Sequence, residues 1–214
     1  MHSLAIVITV LPLLSALLIF GRRLFLQEPL NFLLTICLLS FFRGMLDLGL
    51  PLTKENQSVL SKLFSLALLL MLIPCFRPDF TGRSRYMLDL SVAALLSFTI
   101  TAWSFMGWSK ATPAIDAILN IFLAILILAS LPMVIRNGAL QVLQAPRFYI
   151  GAGTLFYILI YLLLEGIGSC CRPISSPPDP DKHLFVLLAE GIKYLFYAAA
   201  AVLTRPSPEP SPAQ

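Results

Sequence analysis

Seven apolar stretches, each long enough to cross a lipid bilayer as a helix, dominate this sequence. They lie at about residues 3–20, 29–49, 58–76, 87–107, 115–135, 148–168 and 183–204. About 20 apolar residues span the hydrocarbon core of a bilayer as an α-helix, and a helix satisfies its backbone hydrogen bonds internally there. The segments between the stretches contain Pro, Gly and charged residues, which end helices. The sequence therefore predicts an all-α integral membrane protein with a seven-helix transmembrane bundle.

The composition indicates that this membrane bundle is the whole folded protein. Hydrophobic residues make up 58% of the chain and charged residues 12%, and the mean hydropathy is +0.86. In soluble domains about a quarter of the residues are charged. We therefore assign residues 1–204 to one seven-helix transmembrane domain. The Pro- and Ser-rich tail, residues 205–214, is predicted to be disordered and cytoplasmic.

Several functional classes lack their signatures in this sequence. The 15 Lys and Arg residues are scattered over short loops and form no basic run, so no nucleic acid is predicted as a partner. The Cys and His residues match no zinc-binding spacing, and no nucleotide-binding or hydrolase motif occurs. We therefore expect no metal and no cofactor. Enzymatic activity stays open, but a non-enzymatic role is favoured.

The distribution of Lys and Arg predicts the orientation of the bundle, because cytoplasmic loops are enriched in these residues. The odd-numbered loops and the tail contain eight of them: Arg22, Arg23, Arg77, Arg83, Arg85, Arg136, Arg147 and Arg205. The even-numbered loops contain four: Lys54, Lys110, Arg172 and Lys182. The N-terminus is therefore predicted to lie outside and the C-terminus inside. The predicted location is the inner membrane of the cell, which the chain crosses several times.

The seventh apolar stretch carries charged residues near its middle, at Glu190 and Lys193. A charge at that depth costs a few kcal/mol on insertion scales, so such groups usually face a bundle interior, a partner or a watery cavity. His183, Glu190 and Tyr197 are spaced seven residues apart, and Lys193 follows Glu190 by three, so one helical face collects these side chains. This face is the first candidate functional site.

Two other stretches carry polar residues at a comparable depth, in the half of the bundle that is predicted to be outer. Stretch six places Tyr157, Tyr161 and Glu165 on one helical face, and stretch two places Arg43 and Asp47 one turn apart. We predict that one polar pocket is formed by the ligand-binding residues Arg43, Asp47, Tyr161, Glu165, Glu190, Lys193 and Tyr197. The alternative is that Arg43 with Asp47, and Glu190 with Lys193, are purely structural ion pairs.

Further residues supply secondary expectations. Asp116 and Asn120 could join the pocket or form an N-terminal cap of their helix. Lys62 can extend its ammonium towards the interface and is assigned no role, whereas Trp103 and Trp108 are expected to anchor the bundle there. In the inner half, the small residues 151–154 are predicted to pack against Ala198 to Ala201, because small side chains let helices approach closely in lipid.

The last two stretches also carry a resemblance to known proteins. PRFYIGAGTLFYILIYLLLE and HLFVLLAEGIKYLFYAAAAVL, within a seven-helix plan with the N-terminus outside, resemble a group of bacterial seven-helix membrane proteins. They are similar to the sensory modules that precede histidine kinases and cyclases. The resemblance implies a sensor of signals at the membrane. Because the sequence ends soon after stretch seven, signalling would require a separate partner.

Three functional hypotheses follow from these observations. The first is a receptor-like sensor in the lipid bilayer that binds a small ligand or lipid in the outer-half pocket. The second is a membrane carrier or lipid-modifying enzyme that moves a proton between Glu190 and Lys193. The third is a structural subunit of a larger membrane complex. A sensor predicts a ligand in the pocket, whereas a structural subunit requires none.

Overall fold

The fold is a bundle of long helices. The computed structural model describes residues 2–49, 53–106, 112–136, 145–171 and 180–204, and no strand occurs among them. The long helices are α1 (His2–Gly21), α2 (Leu30–Gly49), α3 (Lys54–Phe76), α4 (Gly82–Met106), α5 (Thr112–Arg136), α6 (Pro146–Cys171) and α7 (Pro180–Leu203). Each of them covers one predicted apolar stretch. The all-helical prediction is confirmed for these residues, and the tail 205–214 lies outside them.

Six of the long helices, all except α3, contain stretches that are long and apolar enough to cross a membrane. Their outward surfaces carry large exposed apolar side chains, such as Leu17, Phe42, Phe105, Ile125, Leu159 and Leu195. Exposed apolar surface of this extent is typical of contact with lipid. The protein is therefore a multi-pass membrane protein. Membrane crossing by α3, and with it the total of seven spans, stays a prediction.

The helices are arranged as a ring of six with one helix outside it. Each ring helix packs on the next in the order α1, α2, α3, α5, α6, α7, and α7 returns to α1. We call the end at which α1, α3, α5 and α7 begin the upper end, and the other the lower end. α4 lies against the outside of the ring, and only Leu88, Thr99 and Trp103 are buried among its described side chains.

The lower half of the ring is filled by the hydrophobic core. Its fully buried side chains come from every ring helix and include Ile19, Leu33, Phe76, Ile127, Ile150, Ala200 and Ala201. Between helices, contact of this kind in lipid depends on close packing rather than on removal of apolar surface from water. The interior of the lower half is therefore filled by packed apolar side chains.

The closest approach of α6 and α7 is made at Gly153. A methyl group added at this position would lie 2.6 Å from Cβ of Phe196 and 3.1 Å from the carbonyl oxygen of Lys193. Only glycine fits at such a distance, so the predicted close packing of these helices is present. The predicted partners are wrong in detail: Gly153 meets Phe196, two residues before Ala198, and Gly151 faces Ile127 and Phe76 instead. The cause is the rotation of α6, which directs the two glycines to different neighbours.

Short ion pairs connect the elements of the lower end. Arg147 at the start of α6 donates a hydrogen bond of 2.6 Å to Asp79, which lies in the 3-10 turn Arg77–Asp79. Arg77 donates to both carboxylate oxygens of Asp89 on α4, at 2.9 and 2.6 Å. Burial raises the pKa of the Asp79 carboxyl even though the charge of Arg147 acts in the opposite direction. Burial and the charge of Arg147 therefore act in opposite directions on this carboxyl.

Arg22 caps the lower end of α7, which is the C-terminus of that helix. Its guanidinium donates hydrogen bonds to the carbonyl oxygens of Ala201 and Val202. The last carbonyl groups of a helix have no partner within the helix, and they form the negative end of its dipole. A positive side chain from the segment after α1 therefore stabilises the end of α7 and joins the two helices.

α4 contacts the ring at its upper end through Trp103. The ring of Trp103 lies 6.0 Å from the ammonium of Lys62 on α3, and both side chains are buried. The expectation that Trp103 anchors the bundle at the interface was therefore wrong, and Lys62 does not extend away from the protein. The physical reason is that α4 covers this part of α3 and encloses both side chains. Trp108 lies outside the described residues.

Candidate functional site

A cavity of about 610 Å³ lies inside the ring in the upper half of the bundle. All six ring helices contribute to its lining, whereas no described residue of α4 does. Its lower boundary is formed by Pro12, Ile36, Leu72, Leu123 and Tyr197. The volume falls within the range of about 300–1,000 Å³ that is typical of small-molecule sites. The cavity is therefore large enough for a ligand.

Most of the predicted site residues meet at this cavity. Six of the seven line it: Arg43, Asp47, Tyr161, Glu190, Lys193 and Tyr197. The seventh, Glu165, belongs to α6, but its side chain lies outside the described part of the chain. Asp116 and Asn120 also line the cavity, which agrees with the pocket alternative for this pair. The structure brings these side chains together, and their binding of a ligand stays a prediction.

The face of α7 that was predicted from spacing lies along the cavity wall. The ammonium of Lys193 lies 3.8 Å from Oε1 of Glu190, and the hydroxyl of Tyr194 donates a hydrogen bond of 3.2 Å to the same oxygen. The pair therefore exists, but its atoms are farther apart than the 2.7–2.9 Å of a charge-assisted hydrogen bond. The side chain of His183, at the start of this face, lies outside the described residues.

Two aromatic rings enclose the ammonium of Lys193. It lies 4.5 Å from the ring centre of Tyr157 on α6 and 4.5 Å from that of Tyr194 on α7. A cation over an aromatic face is attracted by the electron density of the ring, and the attraction grows where water is excluded. Burial of Lys193 in the bundle is thus offset by the two rings together with Glu190.

The second charged pair of the cavity lies on α2. Nε of Arg43 is 3.8 Å from Oδ2 of Asp47, one turn farther up the helix. The ion pair of the structural alternative is therefore present, and both of its residues line the cavity. The exposed fraction of the side chains falls from 37% at Asp47 and 33% at Arg43 to 30% at Glu190 and 11% at Lys193. The charges nearest to the upper end are therefore the most accessible, as expected for a cavity that is hydrated from that end.

A hydrogen bond between α6 and α7 closes the bottom of the cavity. The hydroxyl oxygens of Thr154 and Tyr197 are 2.8 Å apart, and the Thr154 hydroxyl donates to the carbonyl oxygen of Ile150 at 2.7 Å. Because Thr154 has one proton to donate, Tyr197 is the donor in the pair. Ser15 of α1 donates to the carbonyl oxygen of Tyr194 at 3.2 Å. These bonds hold three helices together at the floor.

Two aromatic residues of the site, Tyr157 and Tyr194, were not predicted from the sequence. Tyr157 was placed on the polar face of stretch six but was not assigned a role, and Tyr194 was not considered. Tyr194 lies four residues after Glu190, and its hydroxyl reaches that carboxylate. The i, i+4 spacing was therefore a usable signal. Tyr157 is stacked on Tyr161 with ring centres 6.2 Å apart, again at i, i+4.

Comparison of this chain with protein-family models, curated proteins and solved structures finds no match. The cavity and its lining are therefore the features from which a function can be inferred. Charged groups of both signs, phenol groups and apolar side chains line the same cavity. Such a lining can recognise a polar ligand. Such a combination of an apolar pocket and a few placed polar groups is typical of binding sites.

Proposed function

We propose that this chain is a receptor-like protein of a bacterial inner membrane, which binds a small ligand or lipid in the cavity of its upper half. The single observation that carries the proposal is a space of about 610 Å³ within six helices, lined by charged pairs on α2 and α7. Charged groups at membrane depth are costly and commonly belong to functional sites. Structural ion pairs alone would not require a cavity of this size beside them.

The upper end is proposed to face the outside. This orientation follows from the arginines of the lower end, such as Arg22, Arg77 and Arg83, because cytoplasmic loops are enriched in positive charge. A fluorescent reporter fused after Gln214 is expected to be active in the cytoplasm. Activity of an alkaline phosphatase fused at the same position would contradict the orientation, because that enzyme requires the periplasm.

A sensor also needs an output, which we propose to be a separate signalling protein. The resemblance of α6 and α7 to the sensory modules of histidine kinases and cyclases supports this role. A neighbouring gene for a kinase or response regulator would support sensing, whereas a biosynthetic operon would favour the carrier or enzyme hypothesis. Uptake of the bound ligand into liposomes that contain the purified protein would favour a carrier over a sensor.

Ligand binding is tested by filling the cavity. Ser65 on α3 lines the cavity, whereas Ser97 on α4 is exposed on the outside of the bundle. Ser65→Trp places a large side chain in the binding space, and Ser97→Trp makes the same change where it meets lipid. Wild type and both variants are purified in a mild detergent and denatured, and the released small molecules and lipids are identified by mass spectrometry.

The expected result is a compound that copurifies with wild type and Ser97→Trp but not with Ser65→Trp. Both variants must keep the wild-type melting temperature within a few degrees, so that loss of the compound reports loss of space rather than loss of fold. The same compounds in equal amounts from all three proteins would overturn the proposal.

A further inference from the structure

The cavity has two unlike walls. α2, α6 and α7 supply what we call the polar wall, formed by Arg43, Asp47, Tyr157, Tyr161, Glu190 and Lys193. α3 and α5 supply what we call the leucine wall, formed by Leu68, Leu69, Leu72, Leu119 and Leu123, and they also carry the polar lining residues Ser65, Asp116 and Asn120. A ligand that contacts both walls without leaving a polar group unsatisfied has to be polar on one side and apolar on the other. The lining thus fits an amphiphile.

The charges around the cavity are balanced. Arg43 stands beside Asp47 and Lys193 beside Glu190, each at 3.8 Å. The third lining carboxylate, Asp116, interacts electrostatically with Lys62 on α3. A ligand with a single charge would be attracted by one half of each pair and repelled by the other half. A ligand that carries both signs can satisfy both halves.

The positions of the charges suggest how the two signs would be arranged. Arg43 and Lys193 both line the cavity, and an anionic group between them would be attracted by both positive charges. Glu190 and the ring of Tyr161, which lines the cavity one turn above Tyr157, attract positive charge on the same wall. An anion and a cation on one headgroup would therefore find separate partners.

We propose that the ligand is a zwitterionic amphiphile, whose anionic group lies between Arg43 and Lys193 and whose ammonium lies against Glu190 and the ring of Tyr161. Its hydrocarbon chain lies along the leucine wall. This inference rests on the proposed function and specifies the ligand class of the same site. It applies equally to a membrane lipid and to a soluble amphiphile, because both present the same headgroup chemistry.

Four soluble probes with matched parts test the headgroup. Hexylphosphocholine carries both charges, hexyl phosphate carries only the negative one, and hexyltrimethylammonium carries only the positive one. Phosphocholine has the headgroup without the chain. Each probe is titrated calorimetrically into the protein in a nonionic maltoside detergent, and the Ser65→Trp protein measures the background. We expect hexylphosphocholine to have a Kd at least about 10-fold lower than the other three.

Charge variants test the arrangement of the headgroup. Arg43→Gln is expected to weaken binding of hexylphosphocholine and hexyl phosphate by roughly 10-fold while leaving hexyltrimethylammonium unchanged. Glu190→Gln is expected to weaken hexylphosphocholine and hexyltrimethylammonium and to leave hexyl phosphate bound at least as tightly. Arg83→Gln, on the exposed start of α4, removes a positive charge outside the cavity and serves as the control.

The outcomes separate the ligand class from the binding function. Equal binding of all three hexyl probes, or equal effects of Arg43→Gln and Arg83→Gln, would overturn the proposal that the ligand is zwitterionic. If no probe binds above the Ser65→Trp background while another compound copurifies with wild type, the ligand class is wrong and the binding function stands. Phosphocholine binding as tightly as hexylphosphocholine would contradict the role of the leucine wall. It would point to a free headgroup, not a lipid, as the ligand.

Discussion

The upper and lower halves of this bundle both contain pairs of opposite charges, but they hold them differently. In the lower half, Arg147 and Asp79 approach to 2.6 Å, and Arg77 donates twice to Asp89. In the upper half, the pairs Arg43 with Asp47 and Glu190 with Lys193 stand at 3.8 Å around a cavity. The short pairs join different elements, whereas each long pair lies within one helix.

This difference indicates two uses for charge in one membrane domain. A short pair between elements fixes their relative positions, because each partner is the main electrostatic neighbour of the other. A long pair within one helix fixes little, since the helix already determines its geometry, and its groups can still interact with a third charge in the cavity. The ion pairs of the lower half therefore hold different elements together, whereas we propose that those of the upper half recognise the ligand.

The largest effect is expected at the helix contact of the lower half. Gly153→Leu should separate α6 from α7, because even a methyl group would meet Cβ of Phe196 at 2.6 Å. Overpacking of this kind costs about 1–3 kcal/mol and occasionally more, and we expect roughly 3 kcal/mol or more here. The free energy of unfolding is measured by SDS titration in mixed micelles.

Gly21→Leu is the matched control, because a Cβ atom added at Gly21 would meet no atom within 4 Å. Its free energy of unfolding should stay close to that of wild type. Equal losses in the two variants would mean that the lower half is not tightly packed at Gly153, and the contrast between the halves would fail.

A smaller loss is expected from the buried pair of the lower end. Asp79→Asn removes the carboxylate that accepts from Arg147, and it should cost roughly 1.5–3 kcal/mol because the guanidinium loses its partner. The double variant Asp79→Asn with Arg147→Gln should recover most of this loss, since no unpaired charge is left. A double variant that is as unstable as the sum of the single variants would show that the two residues act independently.

The smallest effect is expected in the upper half. A double-mutant cycle of Glu190→Gln and Lys193→Met should give a coupling energy below about 1 kcal/mol, because the pair is long and Glu190 is partly exposed to the cavity. The same SDS titration measures it. A coupling energy as large as that of Asp79 and Arg147 would make the upper pair a structural strut and remove the distinction between the two halves.

Much of the fold could be predicted from the sequence, because hydrophobic length alone determines where a helix can cross a bilayer. All seven long helices lie at the predicted stretches, and Arg43, Glu190, Lys193 and Tyr197 point to one interior space as their spacing suggested. Helical periodicity identifies a shared face without knowledge of the neighbours, and intramembrane charges seldom face lipid.

Neighbours across helices could not be predicted in the same way. Gly153 was expected to face Ala198 to Ala201 and instead meets Phe196, and Trp103 was expected at the interface and instead covers Lys62. Both depend on the rotation of one helix against another and on the position of α4 outside the ring. The hydrophobic pattern of a single stretch does not determine how its helix is rotated or where α4 lies.

The central claim, that the upper half contains a hydrated space, is tested most directly by cysteine labelling. Ser65 lines the cavity, and Leu70, five residues farther along α3, is exposed on the outside of the bundle. Ser65→Cys and Leu70→Cys proteins in nanodiscs are treated with a charged methanethiosulfonate reagent, and wild type, with its own four cysteines, gives the baseline. We expect labelling above the baseline at position 65 and none at position 70. No labelling at position 65, or equal labelling at both positions, would contradict the account.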